Sequence, residues 1–489
     1  MVKQTDSILR IRKKQSLAFF DAVLVGCLVV MAVIFAGVAA YTGLRGDDYG
    51  VLQGYSGGGL VYAVERAFDT TRQLLQAGGG YAVSYFVNSI VLSGIVEGKI
   101  SLTAFMVGGS ILLLSAISLL VCVAGYSAKV FSGKEEIAVA LFFVASSWYL
   151  LLDSQKWREI NTWVTGYNGY AFPMILALVA GGMMCQNSSA RGIRIVVAAV
   201  LAFFASGGSL QITGVYCYFL LIVLFVKLFQ KRTKPADWIV FGSAFLGALL
   251  NLVAPGNYVR RLNIDSTGFH PGIALPFIIR HTNDTIISII KTPFGIPILL
   301  GILVLGTENS GRFKQKTAHL ILLILACVEA PYISTAPVCL GYGGSYFPNR
   351  CQWVTTLTAD ISLMCITYVL GILVGRMLVQ SKQKTISKVI SSGIVLLAIF
   401  GIITFSGRSA LYSTAMHLAD GTVAGYAQTV SELETLFVNS EGKSVIVTQS
   451  LEQIDEVYPL IIREDPQSTD NQLLVNYYHL KSLVYNPEM

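Results

Sequence analysis

Long apolar runs alternate with short polar connections along most of the chain. Eleven runs approach the length a helix needs to cross a bilayer, at 17–41, 103–126, 136–153, 170–185, 194–208, 212–229, 237–254, 292–306, 317–336, 353–378 and 387–406. Between the first two, Leu60–Leu75 and Tyr81–Ile95 read as amphipathic stretches that lie in the interface, the second also as a re-entrant segment. After Ser406 the pattern turns polar, with helical spacing from Ala410 to Val438, a strand at Val445–Val447 and a helix-like segment around Tyr477–Leu480. The expected architecture is an all-α polytopic membrane protein of about eleven transmembrane helices with a small extracytoplasmic C-terminal α/β domain. Its parts are a cytoplasmic N-terminus at 1–16, a membrane domain at 17–406 with a long first outer loop at 42–102, and the C-terminal domain at 407–489. No solenoid-type repeat is present.

Composition agrees with this pattern. Hydrophobic residues make up 54%, charged residues only 13%, and mean hydropathy is +0.63, whereas soluble domains carry about 25% charge. The first basic cluster, Lys3, Arg10, Arg12, Lys13 and Lys14, precedes an apolar run too long for a signal-peptide core, so it reads as an uncleaved anchor. If the N-terminus is inside, the inner loops contain Lys129 and Lys134; Arg191 and Arg194; Lys227, Lys231, Arg232 and Lys234; Arg312, Lys314 and Lys316; and Lys382, Lys384 and Lys388. Each is short and basic, as the positive-inside rule requires. The basic residues fall in separate loops rather than one patch, so nucleic acid is not an expected partner. Six of the eight cysteines lie in or beside apolar runs; Cys339 and Cys351 share an expected outer loop, where a disulfide is open to them in an oxidising compartment. No Cys/His spacing matches a zinc or haem site.

The chemically versatile residues fall at or just beyond the outer ends of the runs: Asp47, Asp48, Tyr49, Lys156, Arg158, Glu159, Asn161, Trp163, Tyr170, Asn257, Arg260, Arg261, Asn349 and Arg350. The midplane reads as nearly free of charge, with Glu329 the main exception. A transporter is expected to place such groups near the midplane, so a one-sided cluster favours an enzyme working at the outer surface on a lipid-linked substrate. Arginine suits phosphate because its guanidinium donates in a fork. A carboxylate suits deprotonation of an acceptor hydroxyl. Tyr and Trp offer flat faces for sugars as well as interface anchoring. Singly, each residue has a plain structural role: the acidic pair marks the membrane boundary, Lys156 and Arg158 pair with Glu159, and Arg260 and Arg261 anchor a helix end. In Ala254-Pro255-Gly256-Asn257, Pro and Gly are expected to stop the span in a turn, and Pro348 does the same before Arg350.

Asp47-Asp48-Tyr49, Trp163-Val164-Thr165-Gly166 with Tyr170 and Pro173, Ala254-Pro255-Gly256-Asn257 with Arg260, Pro348-Asn349-Arg350, and the tail from Asn471 to Val484 resemble an uncharacterised bacterial family of multi-pass membrane proteins. That family is similar to the C-type (GT-C) glycosyltransferases, and the resemblance covers nearly the whole chain. It implies a bacterial cell membrane location, a polyprenyl-phosphate-linked sugar as donor and a cell-envelope glycan or lipid-linked acceptor. It also implies a carboxylate base in the first outer loop, with Asp47 first choice and Asp48 second or a contact for metal or substrate. Arg260 and Arg350 become donor-phosphate candidates. One departure stands out: the family places an acid in the outer turn between the fifth and sixth spans, and this chain has Gln211 there. No cofactor is called for with certainty, and the acidic pair offers at most a weak site for a divalent cation. Two readings stand beside the transferase: a transporter or flippase for lipid-linked sugars, and a non-catalytic envelope-assembly protein.

Overall fold

The computed structural model describes residues 2–55, 57–131, 136–186, 192–264, 270–313, 315–342, 346–380, 409–449, 451 and 454–486. It is an all-α multi-pass membrane protein. Among the described residues, eight helices are long and apolar enough to cross a bilayer: Ala18–Ala39, Leu102–Ser127, Glu136–Asp153, Val164–Cys185, Leu210–Phe229, Pro235–Leu252, Thr317–Tyr342 and Asn349–Leu378. The bent pair Pro271–Lys291 and Gly295–Arg312, which meet at 84°, brings the number to nine. The count differs from eleven for physical reasons. The expected span at 194–208 is the 14-residue helix Gly192–Ala205, about 21 Å long and shorter than the hydrocarbon width. The expected span at 387–406 lies outside the described residues.

The helix ends sort into two faces. Ser127, Phe229 and Arg312 come together at one. Gly208, Asn251, Asp153 and Arg350 lie at the other, where they bond to the connecting segments. The second face carries the acidic pair, and the first carries the basic connections. Gly306 and Gly371 allow the Gly295–Asn309 and Asn349–Gln380 helices to touch backbone to backbone, since a Cβ on Gly371 would stand 3.0 Å from the Gly306 Cα. Small residues at crossings are how membrane helices gain dispersion contacts without a hydrophobic driving force.

Two amphipathic stretches of the first outer segment become the Gly59–Ala77 and Ala82–Val96 helices. They form a hairpin tied at one end by Glu97, which accepts from Tyr55 Oη (2.5 Å) and the Gly59 amide (3.0 Å). The other end is tied by Gly80 to Asn257 and by Val83 to Gly207. Both anchors belong to the acidic-pair face, so the hairpin runs along that face rather than through the bundle. Leu60, Val61 and Phe68 are exposed on it, as an interface helix requires.

The C-terminal residues fold into helices Ala410–Ala419, Thr422–Val438 and Thr469–Tyr477, with a parallel two-stranded sheet of Ser444–Val447 and Ser482–Tyr485. They share one hydrophobic core with the membrane helices, in which Phe35, Tyr49 and Trp157 are buried with Val423, Phe437 and Leu483. Asp153, ending its span, accepts from Ser409 Oγ (2.6 Å) and the Leu411 amide (3.0 Å) and so starts the first of these helices.

Candidate functional site

The acidic pair is divided by one step of a helix. Gly46 has φ +47°, a conformation glycine adopts without Cβ strain, and the Asp47–Leu52 helix starts immediately after it. Consecutive helical residues point about 100° apart, so Asp47 is exposed while Asp48 is fully buried. Asp48 Oδ2 accepts from the Arg45 amide (2.9 Å), and Oδ1 accepts from the Thr165 amide (2.9 Å) and hydroxyl (2.6 Å). Burial pushes its carboxyl up to about 7, against the opposing pull of these three bonds. Asn88 donates to Thr165 Oγ1 (2.8 Å), and Asn168 donates to Asn88 (3.0 Å), extending the chain of bonds inward. Asp47 has no hydrogen-bond or ion-pair partner among the described residues. Its charge acts on the phenols of Tyr85 and Tyr458.

Beside it, Trp163 stacks on Tyr458 with centroids 4.7 Å apart and planes at 17°. The Arg350 guanidinium lies 5.5 Å over the Trp163 ring. Arg350 pairs with Glu159 at 2.7 Å, both largely buried. Glu159 thus serves Arg350 rather than Lys156 or Arg158. Arg158 pairs instead with Asp455 at 3.4 Å, and with the Asn349 amide turned over, the orientation that satisfies both groups, it donates to the amide oxygen from Nη2 (3.2 Å) and Nε (3.1 Å). Burial, and then Arg158, lowers the affinity of Lys156 for its proton. Tyr170 is buried in a π-helical turn, Tyr167–Ala171, with its hydroxyl 3.3 Å from Cys351 Sγ; single π turns often accompany functional sites.

Arg260 sits on the Pro255–Ile264 helix. Pro255 opens this helix rather than a turn, a position where its missing N–H costs nothing. The Arg260 guanidinium donates to the Gly78 carbonyl (3.3 Å) and to Tyr342 Oη, and lies 4.7 Å over the Tyr342 ring. Its electrostatic neighbours are the phenols of Tyr81, Tyr342, Tyr170 and Tyr85. Tyr170 and Tyr342 are also neighbours of Arg350. The two arginines therefore border one tyrosine cluster, and Asp47 approaches it through Tyr85.

Several expected candidates lie elsewhere or are committed to the fold. Asn257 spends its amide on the Asn251 carbonyl (2.8 Å) and the Gly80 N–H (2.8 Å). Tyr49 is buried against Tyr477 and Tyr478, and its hydroxyl donates to Leu44 O (2.9 Å) and Glu434 (3.2 Å). Arg261 is buried in the core side of its helix. Asn161 bridges Ser110 and the Phe35 carbonyl. Gln211 donates to Cys351 O (2.8 Å) and Thr355 Oγ1 (3.1 Å) from a buried position behind the cluster.

The midplane is not as bare as the sequence pattern implies. Asp360 is fully buried in the Asn349–Gln380 helix and accepts from Ser147 Oγ at 2.9 Å; its other oxygen has no partner among the described residues. The polar run Thr355, Thr356, Thr358, Asp360 and Ser362 inside an apolar span is the signal that would have found it. Glu329 lies on the outside of its helix and accepts from Tyr218 Oη at 2.8 Å. Cys339 and Cys351 are both helical, buried and free rather than joined in a loop. Among the described residues, no group of three or more His, Cys, Asp or Glu side chains is placed to hold a metal ion. No protein-family model matches the chain, and no curated protein or solved structure matches it.

Proposed function

We propose that the protein is a membrane glycosyltransferase of GT-C-like architecture in a bacterial cell membrane, with a cytoplasmic N-terminus and an extracytoplasmic C-terminal α/β domain. It moves a sugar from a polyprenyl-phosphate donor to a cell-envelope glycan or lipid-linked acceptor. The observation that carries this reading is Arg260, a half-buried guanidinium with no carboxylate partner among the described residues, set among four tyrosines, one of which, Tyr85, also feels the exposed carboxylate of Asp47. A cation drawn out of water calls for an anion, and a phosphate oxygen pair matches the guanidinium fork. The donor phosphate rests on Arg260 with Arg350 as the second cation. Asp47 takes the proton of the acceptor hydroxyl as that oxygen attacks the anomeric carbon. The bond from that carbon to the phosphate oxygen breaks, polyprenyl phosphate leaves with the electron pair, and the configuration inverts. The half-buried Tyr458, backed by the buried Trp163 ring stacked on it, offers an aromatic surface beside Asp47 for the sugar or acceptor.

The test compares the sugar composition and linkages of the host's envelope glycans in wild type, a deletion strain and the deletion complemented with Asp47→Asn. Loss of one glycosyl substituent in both mutants is expected, with Asp47→Asn protein at normal levels and its transfer rate down about 10²-fold or more. Full activity in that variant removes Asp47 as base. The transporter reading has one observation in its favour, the buried Asp360.

A further inference from the structure

The four tyrosines around Arg260 divide by what their hydroxyls do. Tyr342 Oη accepts from Arg260, and Tyr170 Oη lies 3.3 Å from Cys351 Sγ. The hydroxyls of Tyr81 and Tyr85 have no hydrogen-bond partner among the described residues, although both residues are half-buried. A phenol drawn out of water usually finds a partner, so these two are open to one from outside the protein. Tyr81 caps the Ala82–Val96 helix and Tyr85 follows four residues on, with ring centroids 5.7 Å apart. This helix is fixed to both charged groups of the transfer reading. The Gly78 carbonyl accepts from Arg260 Nη1 (3.3 Å), and a Cβ on Gly78 would stand 3.1 Å from Tyr85 Oη, so that hydroxyl lies beside the anchor of the guanidinium. About one turn further along, Asn88 donates to Thr165 Oγ1 (2.8 Å), and Thr165 donates to Asp48 from its amide (2.9 Å) and hydroxyl (2.6 Å). The Asp47–Leu52 helix packs directly on Ala82–Val96. Burial and then Tyr81 push the Tyr85 phenol up, Arg260 pulls it down and Asp47 pushes it up, so both charges reach it.

In an in-line displacement the base and the leaving phosphate stand on opposite sides of the anomeric carbon, so the sugar occupies the space between Asp47 and Arg260. We propose that Tyr85 contacts the transferred sugar, its hydroxyl hydrogen-bonded to a hydroxyl of the sugar ring, with Tyr81 beside it. This rests on the transferase reading and adds to it a residue that recognises the sugar rather than the phosphate. The test titrates the full chain in detergent with undecaprenyl phosphate and with the same lipid phosphate carrying glucose, galactose or N-acetylglucosamine. Wild type is expected to bind one of the sugar-bearing lipids more tightly than the bare lipid phosphate. Tyr85→Phe should weaken that lipid about three- to tenfold and leave the bare lipid phosphate unchanged, whereas Arg260→Gln should weaken both. Because no described residue bonds to the Tyr85 hydroxyl, its removal should leave the thermal midpoint where it is. Tyr126→Phe, which removes the hydroxyl of an exposed tyrosine near the basic-face end of Leu102–Ser127, is the control and should change neither affinity. Equal loss for both kinds of lipid in Tyr85→Phe, no loss for either, a lowered midpoint, or no sugar preference in wild type overturns Tyr85 as the sugar contact, while Arg260-dependent binding of the bare lipid phosphate keeps the phosphate reading. If wild type binds none of these lipids saturably, the transferase reading falls and the inference falls with it.

Discussion

Asp47 and Asp48 are adjacent carboxylates with opposite fates, and the difference is geometric. One turns outward beside Tyr85 and Tyr458, while the other turns inward and fastens the first outer segment to Thr165. Asp48→Ala leaves the amides of Arg45 and Thr165 and the Thr165 hydroxyl without their acceptor. Each lost partner costs about 1–3 kcal/mol, so the thermal midpoint in detergent should drop clearly, while Asp47→Asn leaves it unchanged. Asp48 also gives stability a pH dependence with a definite sign. Its carboxyl, pushed up to about 7 by burial, binds a proton more tightly in the folded protein than in the unfolded chain, where the value is about 3.9. Its contribution is therefore full below about pH 4 and is lost as pH rises through about 7. Midpoints taken across pH 4 to 8 should show this decline for wild type, and Asp48→Ala should flatten it; an equal slope in both places the titration elsewhere. The sequence shows an acidic pair at a span's end, but it does not show which acid faces the core, because that depends on where Gly46 starts the helix. It is equally silent on Glu159 with Arg350 and on Tyr49 with Glu434, because these partners lie far apart in the chain.

At the scale of elements, the amphipathic pattern was a sound guide. The periodicity of polar and apolar residues marks the Gly59–Ala77 helix, the C-terminal helices and the first strand, while Ala82–Val96 is a short, largely apolar helix. Less legible was the role of Ala254-Pro255-Gly256-Asn257, which joins two helices and docks the hairpin in a single step. Gly256 is required there by close approach: a Cβ would stand 2.5 Å from the Gly79 nitrogen and 2.8 Å from the Leu75 oxygen, both backbone atoms that cannot swing aside. Gly256→Ala should therefore push the Pro255–Ile264 helix off the hairpin, at a cost of about 1–3 kcal/mol. It should also weaken donor binding, because Arg260 is held by the Gly78 carbonyl at that same junction. Gly242→Ala, with open space around its Cβ position, is the matched control and should leave thermal midpoint and donor KM unchanged. If Gly256→Ala behaves like the control, the hairpin does not position Arg260.

Away from the basic face, the candidate ionisable groups among the described residues stand at two depths, the acidic-pair face and the buried Asp360, and the two depths suit different functions. Asp47, Arg260 and Arg350 border one face, where a lipid-linked sugar can be attacked without crossing the bilayer. Asp360 lies eleven residues into its helix, about 16 Å below Asn349 and near the middle of a hydrocarbon layer about 30 Å thick. A buried acid at that depth is either a packing hydrogen-bond acceptor or a group that moves with a proton or cation. Ser147 already donates to it, and an asparagine in its place keeps a carbonyl oxygen for that bond. If the protein is a transferase, Asp360→Asn should retain its transfer rate within a few-fold in proteoliposomes supplied with donor and acceptor, while Asp47→Asn loses it. If the protein is a transporter, the order reverses: Asp360→Asn abolishes movement of the lipid-linked sugar between leaflets and Asp47→Asn leaves it running. Measuring new glycosidic bonds and leaflet exchange on the same two variants gives each reading an outcome that the other forbids.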